Sequence, residues 1–403
     1  MTQENFEAAC AHDTNTWFDR RTMLRIGAAG AASAAVVGFG EAIPASAASW
    51  SAKLGKLKIG YLPITDAAPL LIAKHGGHFK KAGIETHDPT LFRSWPALVE
   101  AFAAKQVDVI HVLMPLALQL KFAAKQDVKV LTWNHTNGSA ITVAKSINEI
   151  TDLAGKTVAI PHWFSLHNVI LQQAFKTAGL KAIVKGDASS ADKTVKLVPA
   201  APADMPVQLA AGQIAGYVVA EPFNALAEVK GIGKILRFSG DIWKDHACCV
   251  TLVRGDLVKN NPQAAQAIAD SIAAAQLSLE KDRNAAATAL STGGYLPQAL
   301  PAIKKALADY TTTEYPKAIT HPEWKSQRIN FQPFPFPSYT VELINRLKVT
   351  AVDADKTFLK SINLKTAHAD LVAVGLAEKA IAKNGGNAKF GLPKTLTRKE
   401  VIA

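Results

Sequence analysis

The chain has 403 residues, of which 49% are apolar and 19% charged, with 25 Gly, 20 Pro and 3 Cys. That is the composition of a globular protein of two or three domains. It excludes a disordered chain, a collagen, a coiled coil and a disulfide-rich scaffold. The formal charge of +12 leaves nucleic acid or a small anion as partner classes to weigh. No run of about 20 strongly apolar residues offers a membrane span.

Residues 1–48 read as a targeting segment rather than as part of a domain. Asp19-Arg20-Arg21-Thr22-Met23-Leu24 resembles the twin-arginine export signature. A Gly/Ala-rich apolar run follows from Ile26 to Gly40, and Pro44-Ala45-Ser46-Ala47 supplies the small residues that signal peptidase accepts. Cys10 precedes the apolar run, so it is not a lipid-bearing cysteine. The expected mature chain begins near Ala48 and is exported without membrane insertion. Residues 1–48 hold Arg20, Arg21 and Arg25 against Glu4, Glu7, Asp13, Asp19 and Glu41, so their removal raises +12 to +14. Lys and Arg are scattered, with no long basic block, and an exported protein meets little nucleic acid. No nucleic-acid partner is expected.

Strand and helix patterns then alternate. Leu57 to Leu62 predicts a strand; Asp66 can cap a helix over Ala67 to Ala82, stopped at Gly83. Ile84 to Phe92 is a weaker strand, and Ser94 caps a helix. Asp108 to Leu113 predicts a buried strand, Pro115 begins a helix, and Val128 to Trp133 is a strand. A second unit holds strands at Lys156 to Ile160, Thr194 to Val198 and Ile214 to Val219. Its helices are Ser165 to Ala178 and Pro202 to Ala211. The alternation predicts parallel sheets covered by helices. The apolar segments Ala140 to Ala144 and Cys248 to Val253 enter and leave the second unit, as crossing strands between two lobes would. Helices are expected from Pro262 to Leu290, from Ala302 to Ala308 and from Val341 to Leu359, and a loop at Asn384 to Lys389. Three prolines in Phe331 to Pro337 exclude a helix interior, so that segment should lie extended on the surface.

The run from Lys58-Ile59-Gly60-Tyr61-Leu62-Pro63 through Ala68-Pro69-Leu70 to Ala73-Lys74-His75-Gly76-Gly77-His78-Phe79-Lys80-Lys81-Ala82-Gly83 resembles the opening of a known family. This is the nitrate/sulfonate/bicarbonate class of solute-binding proteins that serve ABC importers. Ala101 to Val109, Val219-Ala220-Glu221-Pro222-Phe223-Asn224 and Asp245-His246 resemble later segments of the same class. The resemblance covers about residues 55 to 375. It implies an α/β, two-lobe periplasmic-binding-protein-like fold of type II, with two crossing strands between lobes and a C-terminal helical extension. The expected division is residues 1–48 as twin-arginine signal peptide, 49–143 as the first part of lobe 1, and 144–248 as lobe 2. Residues 249–403 form the return to lobe 1 with the helical extension. The implied partners are a small-molecule ligand and an ABC transporter membrane permease. The protein is expected to be a monomer.

In such a fold ligands lie beyond the carboxyl ends of the strands, where helix starts suit small anions. The loops there supply Thr65, Asp66, Trp95 and Met114, each with a structural reading as cap or core contact. At the entry crossing, Ser139 stands where the nitrate and bicarbonate branch has Gln. The loop Pro161-His162-Trp163-Phe164-Ser165-Leu166-His167 resembles one that gives a Thr and a His to the anion. Ser165 and His167 fall near those positions, and Trp163 and Phe164 replace glycines. Those rings can narrow the pocket or stack on a flat ligand, or simply pack on a neighbouring helix. Glu221 can accept from a ligand or pair across the cleft.

His246-Ala247-Cys248-Cys249 stands where the nitrate branch has a Lys after its Asp-His pair. His246 and Cys248 are candidates for ligand contact. On a regular strand, Cys249 would face away from them. Small buried thiols are the first reading, redox or ligand contact the second, and a metal the last. No cofactor, metal or catalytic residue is expected. The alternatives are a carrier for an aromatic heterocycle, such as a thiamine precursor, and an exported enzyme using His and Cys.

Overall fold

The computed structural model describes residues 55–321 and 327–403. The expected export segment and Cys10 lie outside the described residues.

Strands β1 (Ile59–Tyr61), β2 (Thr90–Leu91), β3 (Val109–Leu113) and β4 (Val128–Trp133) come first in the chain. Then follow β5 (Thr136–Asn137), β6 (Ser139–Val143), β7 (Thr157–Ile160), β8 (Lys181–Ile183), β9 (Thr194–Pro199), β10 (Gly216–Ala220) and β11 (Lys234–Phe238). β12 (Cys249–Arg254) and β13 (Ile329–Asn330) complete the set. One sheet has the order β2-β1-β3-β12-β4 and a second the order β11-β6-β10-β7-β9-β8, while β5 and β13 form a two-stranded ribbon.

The sheets are not purely parallel. β12 runs antiparallel to β3 and β4, and β6 runs antiparallel to β10 and β11. The reason is the connection. A parallel return needs a crossover of a dozen residues or more, whereas a strand entering straight from a short crossing starts at the carboxyl edge and runs the other way. The chain passes from the first sheet to the second through residues 134–138, immediately before β6, and returns through 239–248, immediately before β12. The two crossings touch: Thr136 bridges Ala247, and Asn137 N donates to His246 O at 2.9 Å. Cys249 therefore pairs with Leu113 at the carboxyl end of β3, and Ser139 with Ala220 at the carboxyl end of β10. Both partners bring their carboxyl ends to one place.

Local signals shape the helices. Ser94 and Ser165 cap helices Trp95–Ala103 and Leu166–Thr177, with Oγ accepting from Ala97 N at 3.4 Å and Asn168 N at 3.1 Å. The helix expected over Ala67 to Ala82 breaks into Ala68–His75 and His78–Lys81, because Gly77 takes a left-handed φ of 70° between them. The long pattern from Pro262 splits at Asp282 into Pro262–Lys281 and Arg283–Thr292, the second capped by the Asp282 carboxylate.

The proline-rich segment departs from expectation. It is extended, but Phe331, Phe334 and Phe336 are buried, and Pro333 O accepts from Trp133 N at 2.9 Å. Burying each ring contributes about 2 kcal/mol, which turns the segment inward over the end of β4. Helices Pro337–Val349, Ala367–Leu371 and Val374–Lys383 follow it, the last packing on Pro262–Lys281 and β4. No helix among the described residues is long and apolar enough to cross a membrane.

Candidate functional site

Where the strand ends meet, the interior turns polar. Thr65, Asp66, His111, Asn134, His135, Thr136, Asn137, Ser139, Ser165, His167, Glu221, His246 and Thr251 are all buried there or beside it, and Cys248 and Cys249 are fully buried. Buried polar groups are costly unless paired, so the partners decide what each residue does.

The first sheet supplies the denser half. Asp66 was expected as a helix cap, but its helical turn has no side-chain cap. Its carboxylate turns inward instead and lies 2.9 Å from His135 Nε2. Asn134 holds this turn in place: its Nδ2 donates to Asp66 O at 3.1 Å, and its Oδ1 accepts from Thr251 Oγ1 at 2.6 Å. His135 Nε2 also faces the Cys249 peptide N at 3.3 Å. Gly138, at φ 83°, lets the crossing turn beneath this ring; a Cβ there would stand 3.0 Å from His135 Nδ1. Met114 is buried, and its N donates to Cys248 O at 3.0 Å.

The second sheet supplies hydroxyls and one imidazole. Ser139 Oγ and His167 Nε2 are 2.9 Å apart, and Cys248 Sγ lies 3.8 Å from the same nitrogen. His167 is thus the side chain that joins the second-sheet half to the thiols. Thr65 joins the halves from the other direction: its N and Oγ1 both donate to Glu221 O, at 2.8 and 3.0 Å. The Glu221 carboxylate faces Arg328, with Oε1 3.0 Å from Nε and 2.7 Å from Nη2.

Charge is unevenly spread. Burial alone would push His135 down, but the Asp66 carboxylate outweighs it and holds the imidazole up to about 10. Burial raises Asp66 itself despite His135, so the pair keeps a proton between its members. His111 and His246 are pushed down to about 3, chiefly by burial, and are neutral. Burial opposes ionisation of Cys248, yet the Cys249 thiol and the imidazoles of His167 and His135 hold it well below an ordinary thiol. Burial, together with the hydrogen bond to Cys248, pushes Cys249 well up. Of the two thiols, Cys248 is the one whose ionisation the surroundings favour.

The structure therefore brings Thr65, Asp66, Met114, Ser139, His167, Glu221, His246 and Cys248 to the crossings. Trp95 is buried one step away, its ring 5.5 Å from that of His111. Ser165 is occupied as a cap. Phe164 packs on Phe358 of the C-terminal extension, with ring centroids 5.6 Å apart. Trp163 is half-buried, and its carbonyl accepts from Asn168 Nδ2. Cys249 does not turn away from Cys248. The strand begins only at Cys249, so side-chain alternation does not extend back through the thiols. Sequence reading missed Asn134, His135, Cys249, Thr251 and Arg328. The run Asn134-His135-Thr136-Asn137-Gly138-Ser139, polar between two apolar strands, was a usable signal for the first two. Nothing local marks Arg328.

Two mixed α/β sheets joined by paired crossings, with a buried polar cluster at the junction, define the two-lobed fold of periplasmic binding proteins. The fold is similar to that of the periplasmic nitrate-binding protein NrtA from Synechocystis. That match has a TM-score of 0.69 and 18% identity, covering 86% of this chain and 93% of that chain. It is also similar to the zinc-bound ligand-binding component of an ABC-type import system from Staphylococcus aureus. There the TM-score is 0.63 and the identity 25%, covering 80% of this chain and 98% of that one. Residues 51–291 match the NMT1-like family, and the chain belongs to that family. The nitrate/nitrite binding protein NrtA of a Nostoc species is 30% identical over 296 residues, which is 66% of this chain and 67% of that protein. The chain spans only 32% of the length of two cyanobacterial ATP-binding relatives that it also matches.

Proposed function

We propose that the chain is the extracytoplasmic solute-binding component of an ABC importer. It captures a small anion or small organic solute of the nitrate/sulfonate/bicarbonate class between its two lobes and presents it to a membrane permease, without catalysis. The observation that carries this reading is the buried polar cluster at the crossings. It is built from both sheets, buried, and rich in hydroxyl, imidazole and peptide groups that can address a small polar solute. Closure of the lobes about the two crossings encloses the solute, and opening releases it.

Export is part of the reading. The Arg20-Arg21 pair with the apolar run behind it supports the twin-arginine route, by which a chain is carried already folded.

The test is thermal denaturation of the purified protein against millimolar nitrate, bicarbonate, alkanesulfonates, aromatic sulfonates and pyrimidines, with a chelator present throughout. A solute that binds the folded state raises the melting temperature in proportion to the logarithm of its concentration. Stabilisation by an oxyanion is the expected result. No shift with any of them would overturn this solute class. Product formation from any of them, read by mass spectrometry, would make the chain an enzyme.

A further inference from the structure

Four donor groups from three separate segments converge in the polar cluster at the crossings. Asp66 comes from the turn after β1, His135 from the first crossing, and Cys248 and Cys249 from the end of the second. One ligand atom from each lies within 4.8 Å of the others, and all four residues are fully buried.

The chemistry of the set is selective. Two sulfurs, an imidazole and a carboxylate suit zinc and similar thiophilic ions, whereas calcium and magnesium take oxygen donors. Zn–S bonds of about 2.3 Å and Zn–N or Zn–O bonds of about 2.0 Å place tetrahedral donors roughly 3.3–3.8 Å apart. The widest pairs therefore need to close by only about 1–1.5 Å around an ion of that size, while Asp66 Oδ2 and His135 Nε2, now 2.9 Å apart, open slightly.

The surroundings point the same way. Asp66 Oδ1 is buried and has no hydrogen-bond partner among the described residues, while Oδ2 is held by His135 Nε2 at 2.9 Å. A buried carboxylate oxygen left without a donor has capacity for a cation. The backbone behind it is well fixed: Gln276 Nε2 donates to Trp133 O at 3.0 Å and to Asn134 O at 2.6 Å. The donors are thus positioned whether or not an ion is bound.

We infer that Asp66, His135, Cys248 and Cys249 form a four-donor site for a divalent, thiophilic cation of the zinc class, on the first-sheet side of the crossings. The site rests on the solute-binding reading only for access: opening of the lobes exposes the donors without separating them. Two thiolates and a carboxylate around a divalent ion leave one net negative charge. His167 Nε2, 3.8 Å from Cys248 Sγ, is placed to donate to that sulfur. Metal entry displaces to solvent any proton still on the two thiols and the proton held between Asp66 and His135.

The experiment uses the reduced protein with Cys10→Ser, so that the thiolate signal comes only from Cys248 and Cys249. It is stripped with chelator, freed of it, and titrated with Co²⁺, then with Zn²⁺. The expected result is one Co²⁺ per chain, with a near-ultraviolet thiolate-to-cobalt charge-transfer band and the visible bands of a tetrahedral ion. Zn²⁺ should abolish both. Cys248→Ser/Cys249→Ser should lose the charge-transfer band. His135→Ala should keep part of it while zinc affinity falls at least about 10-fold. Absence of the band from the folded, reduced protein overturns the site, and so does a band that survives the double cysteine substitution. Should the double variant not fold, the His135→Ala titration decides: unchanged affinity overturns the site. The solute panel is read separately in chelator. A solute shift without the cobalt band defeats the metal site alone. The cobalt band without a solute shift defeats the solute class alone.

Discussion

Two polar clusters, one fully buried and one largely so, lie close together in this molecule and are built in opposite ways. Around Arg328 every charge has a counterpart. Its guanidinium contacts Glu221 at 2.7 Å and Glu228 at 2.9 Å and donates to Tyr315 Oη at 3.2 Å; Tyr315 in turn donates to Glu228 at 2.9 Å. The guanidinium also lies 5.2 Å from the Phe238 ring centroid. Around Asp66 the pairing is incomplete: Oδ2 is held by His135, but Oδ1 has no partner among the described residues, and one of two adjacent thiols is driven toward thiolate. A closed network holds a fold in one arrangement, whereas an unsatisfied one keeps capacity for something from outside. The contrast separates a clamp from a site.

The largest effect should come from breaking the clamp. Arg328→Met leaves the fully buried Glu221 and the partly buried Glu228 without a counter-ion, at a cost of about 3–5 kcal/mol in urea unfolding. Adding Glu221→Gln should restore part of the loss, because the neutral side chain no longer needs the guanidinium. A loss below about 1 kcal/mol in the single variant would mean that the network does not hold the second sheet to the segment carrying Arg328.

A smaller effect comes from acid, and it must be separated from both clusters. His368 lies in the C-terminal extension, its Nδ1 2.8 Å from Thr340 Oγ1, and burial pushes it from 6.5 down to about 4. The unfolded chain therefore takes up the proton first. Stability from this group is complete above about pH 6.5 and is lost as pH falls toward 4. The loss should reach about 2 kcal/mol. His368→Gln should flatten that limb in chemical denaturation between pH 7 and 4. If the limb is unchanged, the acid sensitivity belongs elsewhere.

The sequence made local features legible and left distant ones hidden. Ser94 and Ser165 announced two helix starts because a cap acts on the peptide groups two or three residues ahead. The strands at 109–113, 128–133 and 216–220 were legible as apolar runs. The direction of β12 was not, since it depends on where the crossing delivers the chain. Phe331, Phe334 and Phe336 looked like surface aromatics among prolines until Trp133 supplied a partner far away in sequence. In the candidate site, His167, Cys248 and Asp66 stood out by residue type. Cys249 was placed on the wrong face by extending strand alternation one residue too far. Arg328 meets Glu221 across 107 positions, and no local pattern reports such a pairing.

The smallest stability effect is the one that sharpens the comparison most. Asp66→Asn keeps the shape of the side chain and can place Nδ2–H where Asp66 Oδ2 now lies, 2.9 Å from His135 Nε2. A pair that shares one proton becomes a neutral hydrogen-bonded pair, with no charge left buried. Unfolding free energy should therefore stay within about 1 kcal/mol of the parent, in contrast to Arg328→Met. Cobalt or zinc affinity should nonetheless fall, because the amide cannot supply an anionic oxygen. Measured side by side, the two variants separate the clusters by what each loses: the Arg328 variant its stability, the Asp66 variant its cation. A stability loss at Asp66 as large as that at Arg328 would make the Asp66–His135 pair a second clamp, and the unpartnered Oδ1 would then be a feature of the fold alone.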